Sequence, residues 1–327
     1  MFTYAAYNAA PAELAAAAPA ELAASAHTEN EWYRLLRAEP LIGGLELGFL
    51  HGLHPHGIGR LSALLDPGWR NIATTMPHTL AAVDVDPAYG LASADADGRR
   101  RAVDDVAQLR DEVFALREAL GPLAVTTVEL QCAPSAAAGA AGSTHLAASL
   151  TEIAGWDWSG VRLLVEHSDA ATPTHAPAKG WLSLDEEIDA VRTASARTGA
   201  PIGQAVNWGR SVIETRAPRG AVEHLERLRT AGTLCGFTVS GVSGQPTSRS
   251  LPWEDVHLAI ADVDPESLLT TAALVDAVAV ARRASPLQVG VKVGAPAAPT
   301  TLEERLAPGL ATLRALADAW AHVDAGP

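Results

Sequence analysis

Apolar residues recur along the chain in eight short runs, several with the two-residue alternation of a partly buried strand. The runs cover residues 2–8, 43–49, 71–77, 123–131, 161–167, 201–208, 235–241 and 287–294. Between them lie stretches in which apolar residues return every three or four positions, as in amphipathic helices. The longest of these stretches cover residues 99–120, 183–198, 217–231, 265–284 and 301–323.

Three of the predicted helices have a start signal, a hydroxyl residue followed three positions later by glutamate, at which side chain and backbone cap each other. The pairs are Thr28 with Glu31, Ser183 with Glu186, and Thr301 with Glu304. Eight strand-then-helix units favour a (β/α)8 TIM barrel formed by one domain, residues 1–327. The alternative, a doubly wound open sheet, lacks the glycine-rich nucleotide motifs of that architecture. The alanine-rich duplication at 11–24 predicts a helical or irregular connection after the first strand.

Composition and charge exclude several classes of function. The formal net charge is −14, and the one basic cluster, "GRRR" at 98–101, is interpreted as a solvated helix start, so nucleic acid is not an expected partner. No apolar run reaches membrane-spanning length and no basic-then-apolar leader precedes the first strand, so we expect a cytoplasmic protein that binds no membrane. Cys132 and Cys235 form no paired motif and are expected to be reduced, structural thiols.

Polar residues follow the predicted strands, where a barrel gathers its chemistry at the carboxyl ends. They are Glu46, His54, His56, His78, Glu129, Gln131, Glu166, His167, Asp169, Asn207, Trp208, Arg210, Ser240, Ser243 and Lys292, with His257 on the connection after the seventh strand. Because these ends meet at one mouth, we expect a pocket for a small molecule there.

Lys292 stands out among these residues. The chain has 22 arginines and two lysines, the other being Lys179, so lysine is expected where a compact point charge or a titratable amine is needed. In one hypothesis, Lys292 stabilises an enolate-like intermediate or acts as an acid or base, while Glu129 or Glu166 moves a proton. In the other, it forms a buried structural salt bridge or points outward among the helices.

Binding roles for the remaining polar residues each have a structural alternative. Arg210 could bind a carboxylate or phosphate of the substrate, or pair with Asp169 or Glu214. Trp208 could stack on a sugar ring or pack in the core. His54, His56 and His78 could contact the substrate or face solvent; the loop with Ser240 and Ser243 could bind an anion; and His257 could be a lid residue or a structural one.

Several motifs carry a resemblance to a known group of proteins. "GLEL" on the second strand and "LLVEH" on the fifth resemble the xylose-isomerase-like TIM barrels, a superfamily of sugar isomerases, ketose epimerases and endonuclease-type phosphodiesterases. "HPH", "VEHSDA", "VNWGRS.IETR" and "VSG.SG" resemble an uncharacterised bacterial family within that superfamily, over nearly the whole chain. The resemblance to the family implies the fold but no particular reaction.

The superfamily resemblance also implies a divalent metal held by carboxylates and a histidine on strands five to eight. Glu166 matches the first ligand position, but Asn207, a serine of "VSGVSG" and Lys292 occupy the others. An ammonium group repels a cation, so we expect no metal cofactor and instead Lys292 in the place of the metal, with its charge balanced by Glu166, Glu129 or both. If a metal is present, the residues predicted to hold it are Glu166, His54, His56 and His78.

The combined hypothesis is an enzyme that acts on a sugar or a sugar-acid-like molecule as an isomerase, epimerase or lyase, transferring a proton next to a carbonyl. A metal-dependent hydrolase or phosphodiesterase is the enzymatic alternative. A non-catalytic ligand-binding barrel is the other alternative, which a pocket without matched acid and base groups would favour. The sequence leaves homo-oligomer formation open.

Overall fold

Eight parallel strands close into a barrel in chain order, with β8 pairing with β1, in a computed structural model that describes residues 1–11 and 22–323. The strands are β1 (Phe2–Tyr4), β2 (Ile42–Gly48), β3 (Asn71–Thr74), β4 (Val125–Leu130), β5 (Arg162–His167), β6 (Ile202–Asn207), β7 (Leu234–Val239) and β8 (Gln288–Val291). Each overlaps one of the eight predicted runs, so the predicted TIM barrel is confirmed.

Helices connect the strands and cover the barrel. They are α1 (Leu22–Ala38), α2 (Gly57–Leu64), α3 (Met76–Val85), α4 (Ala96–Leu120), α5 (Ser143–Ala154), α6 (Leu184–Thr198), α7 (Trp208–Thr215), α8 (Arg219–Ala231), α9 (Thr271–Ala284) and α10 (Leu302–His322). Among the helices in the described part of the chain, none is long and apolar enough to cross a membrane.

Two of the three predicted helix starts are correct. Ser183 and Thr301 form complete capping boxes at the beginnings of α6 and α10. The start predicted at Thr28 is wrong, because Thr28 lies inside α1, where the preceding leucine and alanines are good helix formers and extend the helix towards the amino terminus. Most of the alanine-rich duplication lies outside the described residues. The "GRRR" segment lies in the first turns of α4, where Arg100 and Arg101 are exposed.

The strand order determines which polar groups meet inside the barrel. Because β1 pairs with both β2 and β8, the residues after β1 lie between those from the other two strands. The β1 strand has only three residues and is followed by a short 3-10 turn, Ala6–Asn8, which places Tyr7 at the mouth. Glu46 of β2 and Lys292 after β8 therefore lie on either side of Tyr7.

Candidate functional site

A cavity of about 870 Å³ opens at the carboxyl ends of the strands, where the chemistry of this fold is expected. Its lining comes from the segments that follow six of the strands, namely β1, β3, β5, β6, β7 and β8. The titratable residues that line it are Tyr7, Lys179, Arg210, Arg216, Glu254, Asp255, His257 and Lys292.

Lys292 is directed into the barrel and forms a buried ion pair. Its Nζ donates to Glu46 Oε1 at 2.6 Å, and the Tyr7 hydroxyl donates to the same oxygen at 2.6 Å. Burial alone would lower the pKa of Lys292, but the negative charge of Glu46 and the neighbouring Tyr7 and Glu166 raise it, so the side chain is an ammonium at neutral pH. The alternative in which Lys292 points outward is therefore wrong.

The predicted partner of Lys292 is corrected by this geometry. Glu46, rather than Glu166 or Glu129, makes the direct contact, because the strand order brings β2 next to the short β1 beside Lys292. Glu166 acts on Lys292 only through its charge.

A second network surrounds Arg210. Its Nη1 lies 2.6 Å from Glu166 Oε2, and its Nε donates to Asp255 Oδ2 at 2.9 Å. Burial would raise the pKa of Glu166, but the charges of Arg210 and Lys292 lower it to about 2. Glu166 is therefore a carboxylate, and Arg210 pairs with it and with Asp255 rather than with the expected Asp169 or Glu214.

Lys179 joins the same network from the loop after β5. Its Nζ donates to Asp255 Oδ2 at 2.7 Å and lies 3.7 Å from Asp169 Oδ1. Asp169 Oδ2 accepts backbone N–H bonds from Ala178, Lys179 and Gly180, which fixes the loop that carries the lysine. Both lysines of the chain therefore lie at this cavity.

Glu129 lies below the cavity in the barrel interior and is completely buried. Burial, with the negative charges of Glu166 and Glu46, raises its pKa well above the usual range of a carboxyl group. The raised pKa favours the neutral carboxylic acid at Glu129, whereas the lowered pKa of its neighbour Glu166 favours the carboxylate. Neither of the two lines the cavity.

The rim of the cavity contains three non-glycine residues with left-handed backbone conformations, Arg216 (φ 55°), Trp253 (φ 67°) and His257 (φ 55°). Such conformations cost free energy and often occur at functional sites. The Arg216 guanidinium lies over the Trp253 ring at 4.6 Å and donates from Nη2 to Ala176 O. Its Nη1 is buried without a hydrogen-bond partner, and no carboxylate of the described residues lies within 4.0 Å of the guanidinium.

His257 is an uncharged imidazole at this rim. Its Nδ1 lies 3.2 Å from Asp255 Oδ1. Burial lowers its pKa to about 3, helped by the charges of Lys292, Arg210 and Lys179, although Asp255 opposes the shift. A neutral imidazole beside a carboxylate can accept a proton from a bound molecule.

Several predicted pocket residues make contacts elsewhere. Trp208 is completely buried in the apolar core, because α7 begins directly after β6 and turns the side chain inward, which favours packing over stacking on a sugar. Asn207 Oδ1 caps α7 and accepts a hydrogen bond from Ser240 Oγ at 2.7 Å. Ser243 Oγ donates to the carbonyl of Gln245.

The three histidines of the early loops lie away from the cavity. His54 Nε2 is 2.9 Å from Glu29 of α1, and His78 Nε2 is 2.9 Å from Asp105 of α4, so both point towards the outer helices. His56 is exposed. The predicted metal set of Glu166 with these histidines is therefore wrong, because their partners hold them outside the barrel.

The ligand positions that the superfamily resemblance implies do not suit a divalent metal. Glu166 Oε2 is engaged by Arg210 and only its Oε1 has no partner, Asn207 Oδ1 is engaged by Ser240, and Lys292 supplies a positive charge. A hard cation needs free oxygen ligands and no ammonium beside it. That no metal binds in this cavity remains a prediction.

Sequence comparison gives the family of the chain. Residues 5–308 match the family described as Domain of unknown function (DUF4862). The chain belongs to this family. It is also 32% identical over 249 residues to an uncharacterized protein of Salmonella typhimurium, across 74% of this chain and 75% of that protein.

Structure comparison shows the same fold as the xylose-isomerase-like barrels. A D-tagatose 3-epimerase-like protein matches with a TM-score of 0.59 and 14% identity, over 89% of this chain and 94% of that one. A xylose isomerase-like TIM barrel/4-hydroxyphenylpyruvate dioxygenase fusion protein matches with a TM-score of 0.59 and 13% identity, over 98% of this chain but only 43% of the fusion protein. At these identities the comparison shows the fold alone, and it confirms the resemblance.

Some site residues were not predicted from the sequence. No sequence pattern predicts a role for Tyr7, Lys179, Arg216 or Asp255, and Glu46 is predicted only as a polar residue at the end of a strand. The scarcity of lysine was a usable signal for Lys179, because it applies to both lysines equally. Arg216 lies within the motif "VNWGRS.IETR", directly after a helix that begins at the mouth.

Proposed function

We propose that this single-domain barrel is an enzyme that binds a small anionic sugar derivative, such as a sugar acid, and transfers a proton next to its carbonyl, as an isomerase or epimerase does. The observation that carries the proposal is Arg216, a guanidinium that lines the cavity, has a buried Nη1 without a partner and has no ion-paired carboxylate among the described residues. Such a group fits a carboxylate or phosphate of a substrate. The fold shared with a D-tagatose 3-epimerase-like protein supports a sugar-like substrate by analogy.

In the proposed reaction, His257 is the base. The C–H bond next to the carbonyl breaks, the proton moves to the imidazole of His257, and the electron pair forms an enolate. The cations near His257 lower its pKa, and a bound anion offsets their charge, so substrate binding itself raises the basicity of His257.

In the proposed reaction, Lys292 provides electrostatic stabilisation of the enolate. Its ammonium is fixed by Glu46 and lines the cavity, where it can stabilise negative charge that develops on an enolate oxygen. The raised pKa of Lys292 argues against a free-amine base or a Schiff-base role. Return of the proton to the same carbon on its opposite face gives an epimer, and return to the neighbouring carbon gives an isomer.

Glu129 and Glu166 have a supporting role in this proposal rather than the proton-transfer role expected from the sequence. Glu166 holds Arg210 and balances the charge of Lys292, and the protonated Glu129 adds no further negative charge to the barrel interior. We also propose that the reaction uses no metal in this cavity, since Arg210 engages Glu166 and Lys292 brings a positive charge to the ligand positions that the resemblance implies.

Proton exchange in D2O tests the proposal directly. The full chain is incubated with a panel of sugar acids, sugar phosphates and neutral sugars, and loss of the proton signal next to the carbonyl is followed by NMR. We expect exchange in at least one anionic compound and no exchange with Lys292→Met. Compounds that bind without exchange would instead support a ligand-binding barrel, and exchange confined to neutral sugars would contradict the role of Arg216.

A further inference from the structure

A second cluster of histidine and carboxylate groups lies on the outer side of the barrel, apart from the mouth. His167 ends β5, Glu214 lies in α7 and His224 lies in α8, and none of the three lines the large cavity. The imidazoles are buried, and the Glu214 side chain is 13% exposed. One nitrogen of each imidazole and one oxygen of Glu214 all lie within 4.8 Å of one another.

The two imidazoles converge on the same carboxylate. His167 Nε2 lies 2.9 Å from Glu214 Oε2, and His224 Nε2 lies 3.6 Å from Glu214 Oε1. The ring centroids are 5.0 Å apart and the ring planes meet at 75°, so the nitrogens approach from different directions. A tetrahedral zinc ion with bonds of about 2.0–2.1 Å separates its ligand atoms by roughly 3.4 Å, which small side-chain movements reach from here.

The other atoms of these side chains are held by neighbouring groups. His167 Nδ1 is 2.9 Å from Glu187 Oε2, a completely buried carboxylate, and His224 Nδ1 is 3.0 Å from Ser211 Oγ. Glu214 Oε2 accepts the backbone N–H of Ala170. A partner on Nδ1 orients the ring and leaves Nε2 as the ligand atom, which is the usual arrangement around metal-bound histidines.

We infer that His167, Glu214 and His224 form a binding site for a divalent transition metal, with Zn²⁺ as the best-matched ion. Two imidazole nitrogens and one carboxylate oxygen are ligands that zinc prefers, and water completes the coordination. The metal takes the place of the proton that joins His167 Nε2 to Glu214, and that proton leaves to solvent. The buried charge of Glu214 is then balanced by the ion.

The position of this site gives it a structural consequence. A bound ion joins β5, α7 and α8, and Glu214 lies two residues before Arg216, which extends from the end of α7 to the mouth. Metal binding would therefore restrict the end of α7 and with it the position of Arg216 at the rim of the cavity. The inference does not depend on the proposed reaction, since binding is measured without a substrate.

The test measures Zn²⁺ binding to the full chain after treatment with a chelator and removal of that chelator. Titration in competition with a chromophoric chelator gives stoichiometry and affinity, and Co²⁺ in place of Zn²⁺ gives a visible spectrum that reports coordination geometry. We expect one ion per chain, an affinity reduced at least 100-fold in His224→Gln and roughly 10-fold in Ser211→Ala, which removes the partner of a ligand. His322→Gln, which removes an exposed imidazole, is the matched control and should bind like the original chain.

The possible outcomes separate the alternatives. Equal and weak binding by the original chain and His224→Gln would mean that the cluster holds only a proton, and the inference would be overturned. Loss of binding in Glu166→Gln but not in His224→Gln would place the ion at the mouth, which would also overturn it. If His224→Gln does not fold by circular dichroism, the Co²⁺ spectrum of the original chain decides, because octahedral, weakly absorbing Co²⁺ contradicts this site.

Discussion

The ammonium of Lys292, after β8, lies 2.6 Å from Glu46 Oε1 on β2, although β1 separates the two strands. The contact is possible because β1 is short and the chain turns at once to bring Tyr7 alongside the pair. Both charged side chains are almost completely buried, at 1% and 2% exposure. A planar guanidinium is larger than this ammonium, which explains why a chain rich in arginine has lysine at this position.

Replacing Lys292 should leave a buried carboxylate without its partner. We expect Lys292→Met to lower the free energy of unfolding by about 3–5 kcal/mol, as measured by urea denaturation. Adding Glu46→Gln should recover most of this loss, because the orphaned charge is removed. The matched control is Lys292→Met with Glu166→Gln, which should recover little, since Glu166 remains paired with Arg210 in the single variant. Recovery by Glu166→Gln instead would show that Glu46 is not the functional partner.

Glu129 should make stability depend on pH in a defined direction. Its pKa is raised in the folded protein, so between about pH 4.3, the unfolded value, and the raised value the folded state binds a proton that the unfolded state has lost. Stability therefore falls as pH rises through this window, by about 1.4 kcal/mol per pH unit from this group. Glu129→Gln should not show this pH-dependent loss of stability. Its free energy of unfolding should therefore increase relative to that of the original chain as the pH rises from 5 to 8. The exposed Glu118→Gln should show a constant difference, and parallel curves for Glu129→Gln would contradict the raised pKa.

Arg216 should control the affinity for anionic ligands. For any sugar acid that raises the melting temperature, Arg216→Ala should weaken binding at least 10-fold, because a desolvated charge-assisted contact is lost. Arg219→Ala, which removes an arginine three residues away that is 77% exposed, should change affinity little. Equal effects of the two variants would mean that only long-range charge matters. Arg210→Ala is a poorer test, since it also leaves Glu166 and Asp255 unpaired.

His257 should affect turnover more than binding. If it accepts the proton, His257→Gln should lower kcat by about 100-fold or more, while KM changes little. The kcat of the original chain should rise with pH through the pKa of His257 in the complex, because the base must be uncharged. That pKa should lie above the value of about 3 in the free protein, since the bound anion offsets the neighbouring cations. A kcat that falls as pH rises through this region would exclude His257 as the base.

The fold could be predicted because its signals are local. Short apolar or alternating runs identified all eight strands, and a period of about 3.6 residues identified the long helices between them. The capping boxes at Ser183 and Thr301 are complete within four residues of sequence. Thr28 shows the limit of that approach, because the same spacing inside a continuous helix has no free terminus to cap.

The site was predicted as a region but not as a set of contacts. The sequence placed Lys292 at a strand end, yet its partner depends on how three neighbouring strands are staggered, which no local pattern contains. Lys179 reaches the cavity only because Asp169 accepts three backbone N–H bonds from its loop. His54 and His78 were placed at the mouth by order along the chain, whereas carboxylates on α1 and α4 draw them outward.

The location of both lysines at one cavity has a consequence for chemical labelling. Lys179 and Lys292 have side-chain exposures of 8% and 1%, and both ammonium groups form ion pairs. A general amine-reactive reagent should therefore leave both lysines largely intact. Because the sequence contains only two lysines, any lysine adduct reports on this cavity. Labelling of Lys292 should increase in Glu46→Gln, where the ammonium loses the carboxylate that holds its pKa above the ordinary value.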